Sequence, residues 1–168
     1  MLEDANAAQI GGSGRPEMEF SAARKSSGFI ELWNTLPNDV RVVSPFVDRV
    51  MSFLTGSPGA DGNRFEIQLA LSEALVNALV HGNQEDPQKR IHVRCRLTTD
   101  GEVSMTVRDE GPGFEHDAVA DPTAPENRLR AQSRGISLMR ALMDEVEFEK
   151  GGSVVPMCKR AKNADCLQ

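Results

Sequence analysis

The chain has 168 residues, of which 39% are hydrophobic and 26% are charged, so it suits one domain with a core and not a wholly disordered protein. Its formal charge of -6 at pH 7 leaves no basic surface for duplex DNA or an anionic membrane. The sequence shows no secretory signal and no run of roughly 18 apolar residues, so we expect a cytoplasmic protein without a membrane span. Three cysteines, Cys95, Cys158 and Cys166, form no CxxC pair and predict free thiols.

The first predicted elements follow an N-terminal segment without periodicity. Residues 1–27, with GGSGRP at their centre, predict a flexible tail. The stretch FIELWNTLP predicts a strand that Pro37 ends, and Asn38 is predicted to cap a helix from about Asp39 to Leu54. A second helix is predicted from about Arg64 to His81, with Gly82 as its C-terminal stop.

Strand patterns dominate the second half of the chain. RIHVRCRLT and EVSMTVRDE, joined by TDG, predict a β-hairpin whose alternating apolar residues share one buried face: Ile91, Val93, Cys95, Leu97, Val103, Met105 and Val107. After a weakly patterned segment at about 115–133, RGISLMRALMDE predicts a short helix, and EVEFEKGGSVVPMCKR predicts two more strands. Pro156 lies inside the last strand and lacks an N–H, which predicts a sheet edge or a bulge there.

These elements together predict an α+β fold over residues 28–160, followed by a C-terminal tail at 161–168. The expected architecture is a two-layer sandwich, in which helices cover one face of a mixed sheet.

The stretch SEALVNALVHGN places Glu73, Asn77 and His81 four residues apart, on one face of the second helix. An ionised Glu73 in so apolar a helix is costly unless it is paired or solvated. Asn77 offers the kind of oxygen that magnesium takes alongside phosphates and water. The stripe therefore predicts a helix face directed at a metal-bound phosphate, with a satisfied pair of polar core residues as an equally open alternative. His81 also suits a helix C-terminus through the helix dipole alone.

The stretch VRDEGPGF puts Asp109 at the end of an apolar strand, before Gly111 and Gly113. A carboxylate held there can accept a hydrogen bond from an exocyclic amine such as that of adenine, and the glycines permit close backbone approach. A plain surface turn is the alternative interpretation. The chain contains neither GxGxxG in the required context nor GxxxxGK[ST], so the common phosphate-binding loops are absent.

In SRGISLM, Ser133, Arg134 and Gly135 immediately precede the predicted short helix, whose free N–H groups favour an anion. Ser133 suits a plain N-cap equally well. The preceding segment carries Arg128 and Arg130 and is longer than connections usually are, which predicts a functional lid. Its arginines are candidates for phosphate contacts, with simple solvation as the alternative.

The three segments, in this order, resemble the histidine-kinase-like ATPase (GHKL) superfamily, which includes gyrase and sensor kinases, and within it the anti-sigma-factor serine/threonine kinases. The resemblance rests on EALVNALVHGN, RDEGPGF and SRGISLMRALMDEVEF, and it extends from about Ile30 to Arg160. It implies the Bergerat ATP-binding fold, with ATP and Mg²⁺ as cofactors.

The resemblance also implies a role for each matching residue. Glu73 would be the general base, Asn77 would hold Mg²⁺, and Asp109 would recognise the adenine amino group. The other residues that the resemblance assigns to nucleotide binding are His81, Gly111, Gly113, Phe114, Arg128, Ser133, Arg134, Gly135 and Ile136.

The implied reaction is transfer of the ATP γ-phosphoryl group to a serine or threonine of an anti-anti-sigma (STAS-domain) partner. Related kinases usually act as homodimers and also bind a sigma factor, without direct nucleic-acid binding. The segment DPTAPENRLRAQS lacks the paired threonines of the best-known members, and Pro156 is also unexpected. Two alternatives remain open, a nucleotide-gated binding module with little catalysis and a nucleotide-free interaction domain.

Overall fold

The computed structural model describes residues 19–20, 24–26, 28–113 and 131–161. Seven strands form one sheet: β1 (Glu19–Phe20), β2 (Arg24–Ser26), β3 (Phe29–Pro37), β4 (Arg90–Thr98), β5 (Val103–Asp109), β6 (Glu145–Val146) and β7 (Val154–Lys159). Their order is β1-β3-β4-β5-β7-β6, with β2 also paired to β3. Every described strand pair is antiparallel, so the sheet is antiparallel rather than mixed.

Helices lie against one face of this sheet, which confirms the predicted α+β two-layer sandwich. They are α1 (Val43–Leu54), the four-residue α2 (Pro58–Asp61), α3 (Arg64–Asn77) and α4 (Ala131–Leu142). The predicted hairpin face is buried, with Leu97 only partly so, and it packs on helix residues such as Phe46, Leu71 and Met139. Cys95 lies in this core, where burial raises the pKa of its thiol to about 12, and both Cys95 and Cys158 are free. Within the described ranges, no helix is both long and apolar enough to span a membrane.

Part of the segment expected to be a flexible tail is strand. Residues Glu19–Phe20 pair with Asn34 and Thr35 of β3, and Arg24–Ser26 pair with its first half. These strands form by pairing with the edge of β3, and they are too short to show an alternating pattern of apolar residues in the sequence. The prediction of a flexible tail is therefore wrong for these residues. The remaining residues of 1–27, and the tail residues after Ala161, lie outside the described part of the chain.

The first helix begins later than predicted. A 3-10 turn at Val40–Val42 comes before α1, and its N-cap is Asp39, whose Oδ1 accepts a hydrogen bond from Arg41 N at 2.9 Å. Asn38 is therefore not the cap. Its side chain instead donates to the Asp86 carbonyl oxygen at 3.0 Å.

The second helix changes its winding before it ends. α3 stops at Asn77, and a π-helical turn follows at Ala78–Gly82, closed by a 2.7 Å hydrogen bond from Asn83 N to Ala78 O. Gly82 is the last residue of this turn, so the helical segment ends where the C-terminal stop was predicted, although Gly82 has no positive φ. A π-helical turn inserts one residue into a helix and is often found at functional sites.

No bulge occurs at Pro156, but the edge alternative holds at that residue, because β6 pairs only with Met157 and Cys158 of β7. β7 lies between β5 and β6, and its register with β5 is unbroken from Val103↔Lys159 to Arg108↔Val154. The Pro156 carbonyl oxygen accepts from Glu147 N at 3.0 Å on the side of β6. In an antiparallel ladder the N and O of one residue point to the same side, so the missing N–H also faces β6, which is only two residues long.

Candidate functional site

The polar stripe of α3 lies at the boundary between the buried and exposed sides of the helix. Ile67, Leu71 and Leu75 are fully buried toward the sheet, whereas Glu73 and Asn77 are only half-buried. The outward face of α3 is also apolar, with Phe65 70% exposed. The two polar side chains therefore sit on the flank of the helix that faces α4, and not in the core.

Gly135 brings α4 against this polar pair. A Cβ atom on Gly135 would lie 2.8 Å from Glu73 Oε2 and 3.2 Å from Asn77 Nδ2. The lack of a side chain at Gly135 thus leaves room for the ends of the Glu73 and Asn77 side chains beside α4. Asn77 Nδ2 is buried and has no hydrogen-bond partner among the described residues, which is unusual for a buried amide and points to a missing polar partner.

Asp109 ends β5, as predicted, and its residue is only 6% exposed. Its Oδ1 accepts a hydrogen bond from Gly111 N at 2.8 Å. Burial raises the pKa of the Asp109 carboxyl group, and the hydrogen bond from Gly111 N opposes part of that rise. The carboxylate is therefore held in place in a poorly solvated position, with one oxygen not occupied by Gly111.

Two glycines allow the backbone to close around Asp109. A Cβ atom on Gly82 would lie 2.3 Å from Asp109 Oδ2, and a Cβ atom on Gly111 would lie 1.8 Å from the Gly82 carbonyl oxygen. Gly113 has a positive φ of 79° and packs against the backbone of Gly151. The π-helical turn and the loop after β5 are thus in direct backbone contact.

Asn77 and Asp109 line a common cavity between α3, α4 and the sheet. The cavity is narrow, with room for about one water molecule between these walls. The other lining groups are mostly apolar and include Ile136, Met139, Phe148 and Val155. A mostly apolar cleft with a few fixed polar groups is typical of a small-molecule site. A flat heterocycle that carries an amine would match both the apolar walls and the carboxylate.

Glu73 does not line this cavity; it lies next to it, beside Asn77 and Gly135. Several other predicted site residues in the described ranges are also absent from the lining, and they include Gly111, Gly113 and Gly135. His81 is half-buried in the π-helical turn and is not among the lining residues, and Arg134 is exposed. Phe114 and Arg128 lie outside the described residues.

The position predicted for Ser133, Arg134 and Gly135 needs correction. α4 begins at Ala131, so these three residues lie inside its first turns and do not precede it. Ser133 is therefore not the N-cap. The glycine at Gly135 suggested a helix start, but here it is required by the contact with α3 rather than by the helix end.

Asn83 was not identified from the sequence, although it is fully buried beside the site. Its Oδ1 accepts from Glu110 N at 2.8 Å, and its Nδ2 donates to Arg90 O at 2.9 Å and to Asn38 Oδ1 at 3.2 Å. Met139 could have been found as a lining residue, because it is one turn after Ile136. Phe148, which follows β6, and Val155 of β7 come from distant parts of the chain and gave no sequence signal.

Metal-binding groups are sparse in this region. Across the described ranges, no three His, Cys, Asp or Glu side chains come together as a metal site. Magnesium usually takes only one or two protein oxygens and completes its shell with phosphates and water. The Glu73 and Asn77 side chains, adjacent and half-buried, are a donor set of that kind.

Known proteins share the domain of this chain. The family described as the histidine kinase-like ATPase domain matches residues 36–159. An anti-sigma F factor of Heyndrickxia coagulans is 35% identical over 108 residues, which cover 59% of this chain and 72% of the relative. An anti-sigma F factor of Geobacillus thermodenitrificans is 31% identical over 145 residues, which cover 82% of this chain and 86% of the relative. Because the domain match spans most of the sequence, the chain belongs to the histidine kinase-like ATPase family and is related, within it, to the anti-sigma F factors.

Proposed function

We propose that this protein is an ATP-dependent serine/threonine kinase of the anti-sigma-factor type. The observation that carries the proposal is the meeting of three separate segments: Glu73 and Asn77 on α3, Gly135 on α4, and Asp109 at the end of β5. A carboxylate at the inner end of an apolar cleft suits adenine, and a carboxylate–amide pair at its edge suits a phosphate-bound cation. Asn77 and Asp109 line one cavity, and Glu73 lies beside it next to Asn77.

The Asp109 carboxylate would accept a hydrogen bond from the adenine amino group through Oδ2, because Oδ1 is already bonded to Gly111 N. Ile136, Met139 and Phe148 would contact the faces of the base. Burial of a flat apolar ring in this cleft would provide most of the affinity, and the carboxylate would provide the selectivity.

Glu73 would act as the general base toward the partner's hydroxyl group. In this step the hydroxyl oxygen forms a bond to the γ-phosphorus, the bond from that phosphorus to the β–γ bridging oxygen breaks, and ADP leaves. The hydroxyl proton passes to the Glu73 carboxylate and then to solvent. Catalysis of this kind is mostly positioning, so the close contact of Glu73 with α4 would fix the direction of attack.

The residues present fit a magnesium ion. Asn77 would offer its carbonyl oxygen, and the unpartnered Asn77 Nδ2 is consistent with a ligand missing from this neighbourhood. When bound with ATP, the ion supplies charge neutralisation on the phosphates. Asn77 would then serve to orient the ion, and Glu73 would remain free for the proton.

The substrate of the proposed reaction is a serine or threonine of an anti-anti-sigma protein with a STAS domain. The related proteins named anti-sigma F factors favour a sigma factor as a second partner. The proposal also includes a homodimer of this chain that acts in the cytoplasm. The net charge of -6 argues against nucleic acid as a direct partner.

The test is a phosphotransfer assay with purified protein, magnesium ATP and the anti-anti-sigma protein encoded near it. We expect phosphoserine or phosphothreonine on the partner by mass spectrometry. Glu73→Gln should retain ATP affinity but lose transfer, by about 10²-fold or more for a lost general base. The matched control is Glu66→Gln, the same change two turns earlier on α3. Absence of phosphorylated partner with the wild-type protein, under conditions where ATP binds, would overturn the kinase proposal.

One observation favours a second candidate, a nucleotide-gated binding module with little catalysis. Glu73 packs beside Gly135 and does not line the cavity itself. In that case ATP would control capture of a sigma factor, and Glu73→Gln would leave capture and its nucleotide dependence unchanged. The kinase predicts instead that partner phosphorylation, and release that depends on it, is lost in this variant.

A further inference from the structure

The amide of Asn83 connects the chain segments that surround Asp109. Its side chain has no exposed surface and makes all three of its hydrogen bonds to groups from other segments. Only one orientation of the amide fits, since its oxygen accepts from Glu110 N–H and its nitrogen donates to two oxygens. A second link joins two of these segments directly, because Arg90 N donates to Glu110 Oε2 at 2.9 Å.

We infer that Asn83 is a positioning residue that sets the base selectivity of the nucleotide site. This inference rests on the proposed function, in which Asp109 contacts the adenine amino group. Asn83 holds the polypeptide on both sides of the Asp109 carboxylate, so it determines where that carboxylate lies relative to a bound purine.

On one side, Asn83 controls the peptide that follows Asp109. The Glu110 N–H belongs to the peptide bond that Asp109 itself begins, and it donates to Asn83 Oδ1 at 2.8 Å. This bond fixes the peptide plane next to the Asp109 Cα atom. Loss of the bond would free the plane to rotate and would carry the carboxylate with it.

On the other side, Asn83 controls the wall against Asp109. Its backbone N–H closes the π-helical turn on Ala78 O at 2.7 Å. The preceding residue, Gly82, lies so close to the Asp109 carboxylate that a Cβ atom there would be 2.3 Å from Oδ2. The Nδ2 of Asn83, which donates to Arg90 O, links the same turn to the start of β4. The positions of the two backbone segments on either side of the Asp109 carboxylate therefore both depend on Asn83.

Base selectivity is the property that this positioning would affect most. At the position where adenine carries an amine, guanine carries a carbonyl oxygen, which a carboxylate repels. Hydrogen bonds weaken steeply as their geometry departs from linear. A displaced Asp109 would lose attraction for adenine and repulsion for guanine together, so the preference for ATP over GTP would fall.

Asn63 is a matched control for this role. It is also fully buried, and its Nδ2 donates to Gly59 O at 3.0 Å and to Arg160 O at 2.9 Å. It precedes the N-terminus of α3, whereas Asn83 follows the turn at the other end, on the order of 25 to 30 Å away at the rise of a helix. Asn63→Ala removes a comparable buried amide without touching the site.

The experiment measures ATP and GTP dissociation constants by calorimetry for the full chain and for Asn83→Ala and Asn63→Ala, with thermal unfolding in the absence of nucleotide. We expect both variants to unfold at lower temperature. In Asn83→Ala the ATP-to-GTP affinity ratio should fall about tenfold, because the loss of one hydrogen bond to a charged group changes affinity by about that factor. In Asn63→Ala the ratio should equal that of the wild type.

An unchanged ratio in a folded Asn83→Ala variant would overturn the inference and leave a purely structural role. If that variant does not fold, the deciding variant is Asn38→Ala. It removes the acceptor that Asn83 Nδ2 contacts at 3.2 Å, together with the Asn38 donor to Asp86 O, and leaves the other two hydrogen bonds of the Asn83 side chain in place. A fall in its ratio supports the inference, and an unchanged ratio overturns it. A wild-type protein that binds neither nucleotide would instead overturn the proposed function, before any variant is measured.

Discussion

Asp109→Asn tests the adenine contact with little change of shape. Because Gly111 N–H holds Oδ1 at 2.8 Å, the substitution places an NH₂ group where Oδ2 stood. The adenine amine would then meet a donor instead of an acceptor. Loss of a hydrogen bond to a charged group costs about 1.5 to 3 kcal/mol. Since about 1.4 kcal/mol is tenfold in affinity, ATP should bind about ten- to a hundredfold more weakly.

The same substitution should not destabilise the ligand-free protein. Burial raises the pKa of Asp109 in the folded state, so its charged form is disfavoured there at neutral pH. That unfavourable contribution is present above the folded-state pKa and disappears as the pH falls through it. Asp109→Asn removes the contribution, so the variant should be at least as stable as the wild type at pH 7, and this advantage should shrink in acid.

Calorimetric titration with magnesium ATP and urea denaturation without nucleotide measure the two effects. Asp61→Asn is the control, since it makes the same change at an exposed residue of α2. The reasoning is refuted if Asp109→Asn binds ATP as tightly as Asp61→Asn does. A variant that loses affinity only because it unfolds would show a lower urea midpoint, which the account does not predict.

Three further predictions concern the fold around the site. Gly111→Ala should lower the free energy of unfolding in urea by about 1 to 3 kcal/mol, because its Cβ would lie 1.8 Å from a backbone carbonyl oxygen, whereas Gly28→Ala, with open space around it, should change it by less than about 0.5 kcal/mol. Burial raises the pKa of Glu31, but hydrogen bonds from Arg94 and its neighbours outweigh burial and leave the pKa below its ordinary value of 4.5. The ionised Glu31 therefore stabilises the fold, and this stabilisation is lost as the pH falls through the folded-state pKa. Acid denaturation should therefore be less steep below about pH 4.5 in Glu31→Gln, and equal slopes would contradict this. Pro156→Val should shift the thermal midpoint little, since the N–H that it restores faces the short edge strand; a large loss would show that proline is required there.

Local patterns predicted the elements that carry the site. The strand from Phe29 to Pro37, the hairpin around Gly101 and the start of the second helix at Arg64 all lie where the sequence indicated. Alternation and helical periodicity are properties of neighbouring residues, so they can be read without knowledge of the fold. The same locality placed Glu73 and Asn77 on one helix face and Asp109 at a strand end.

The features that were missed depend on contacts between distant segments. The π-helical turn is set by the approach of Gly82 to Asp109, and the true position of Gly135 is set by its contact with α3. Asn83 looks like an ordinary polar residue after a helix, because nothing near it in sequence shows that Glu110 N needs a partner. A contact with a distant segment requires only one polar residue or one glycine at a given position. It therefore produces no periodic pattern in the sequence.

The most direct test of the central claim is a crystal structure of the chain with magnesium and a non-hydrolysable ATP analogue. The account predicts the adenine amino group within hydrogen-bond distance of Asp109 Oδ2, with Asn77 on the ion and Glu73 facing the terminal phosphate. A nucleotide bound elsewhere, or bound in this cavity with its base away from Asp109, would contradict it.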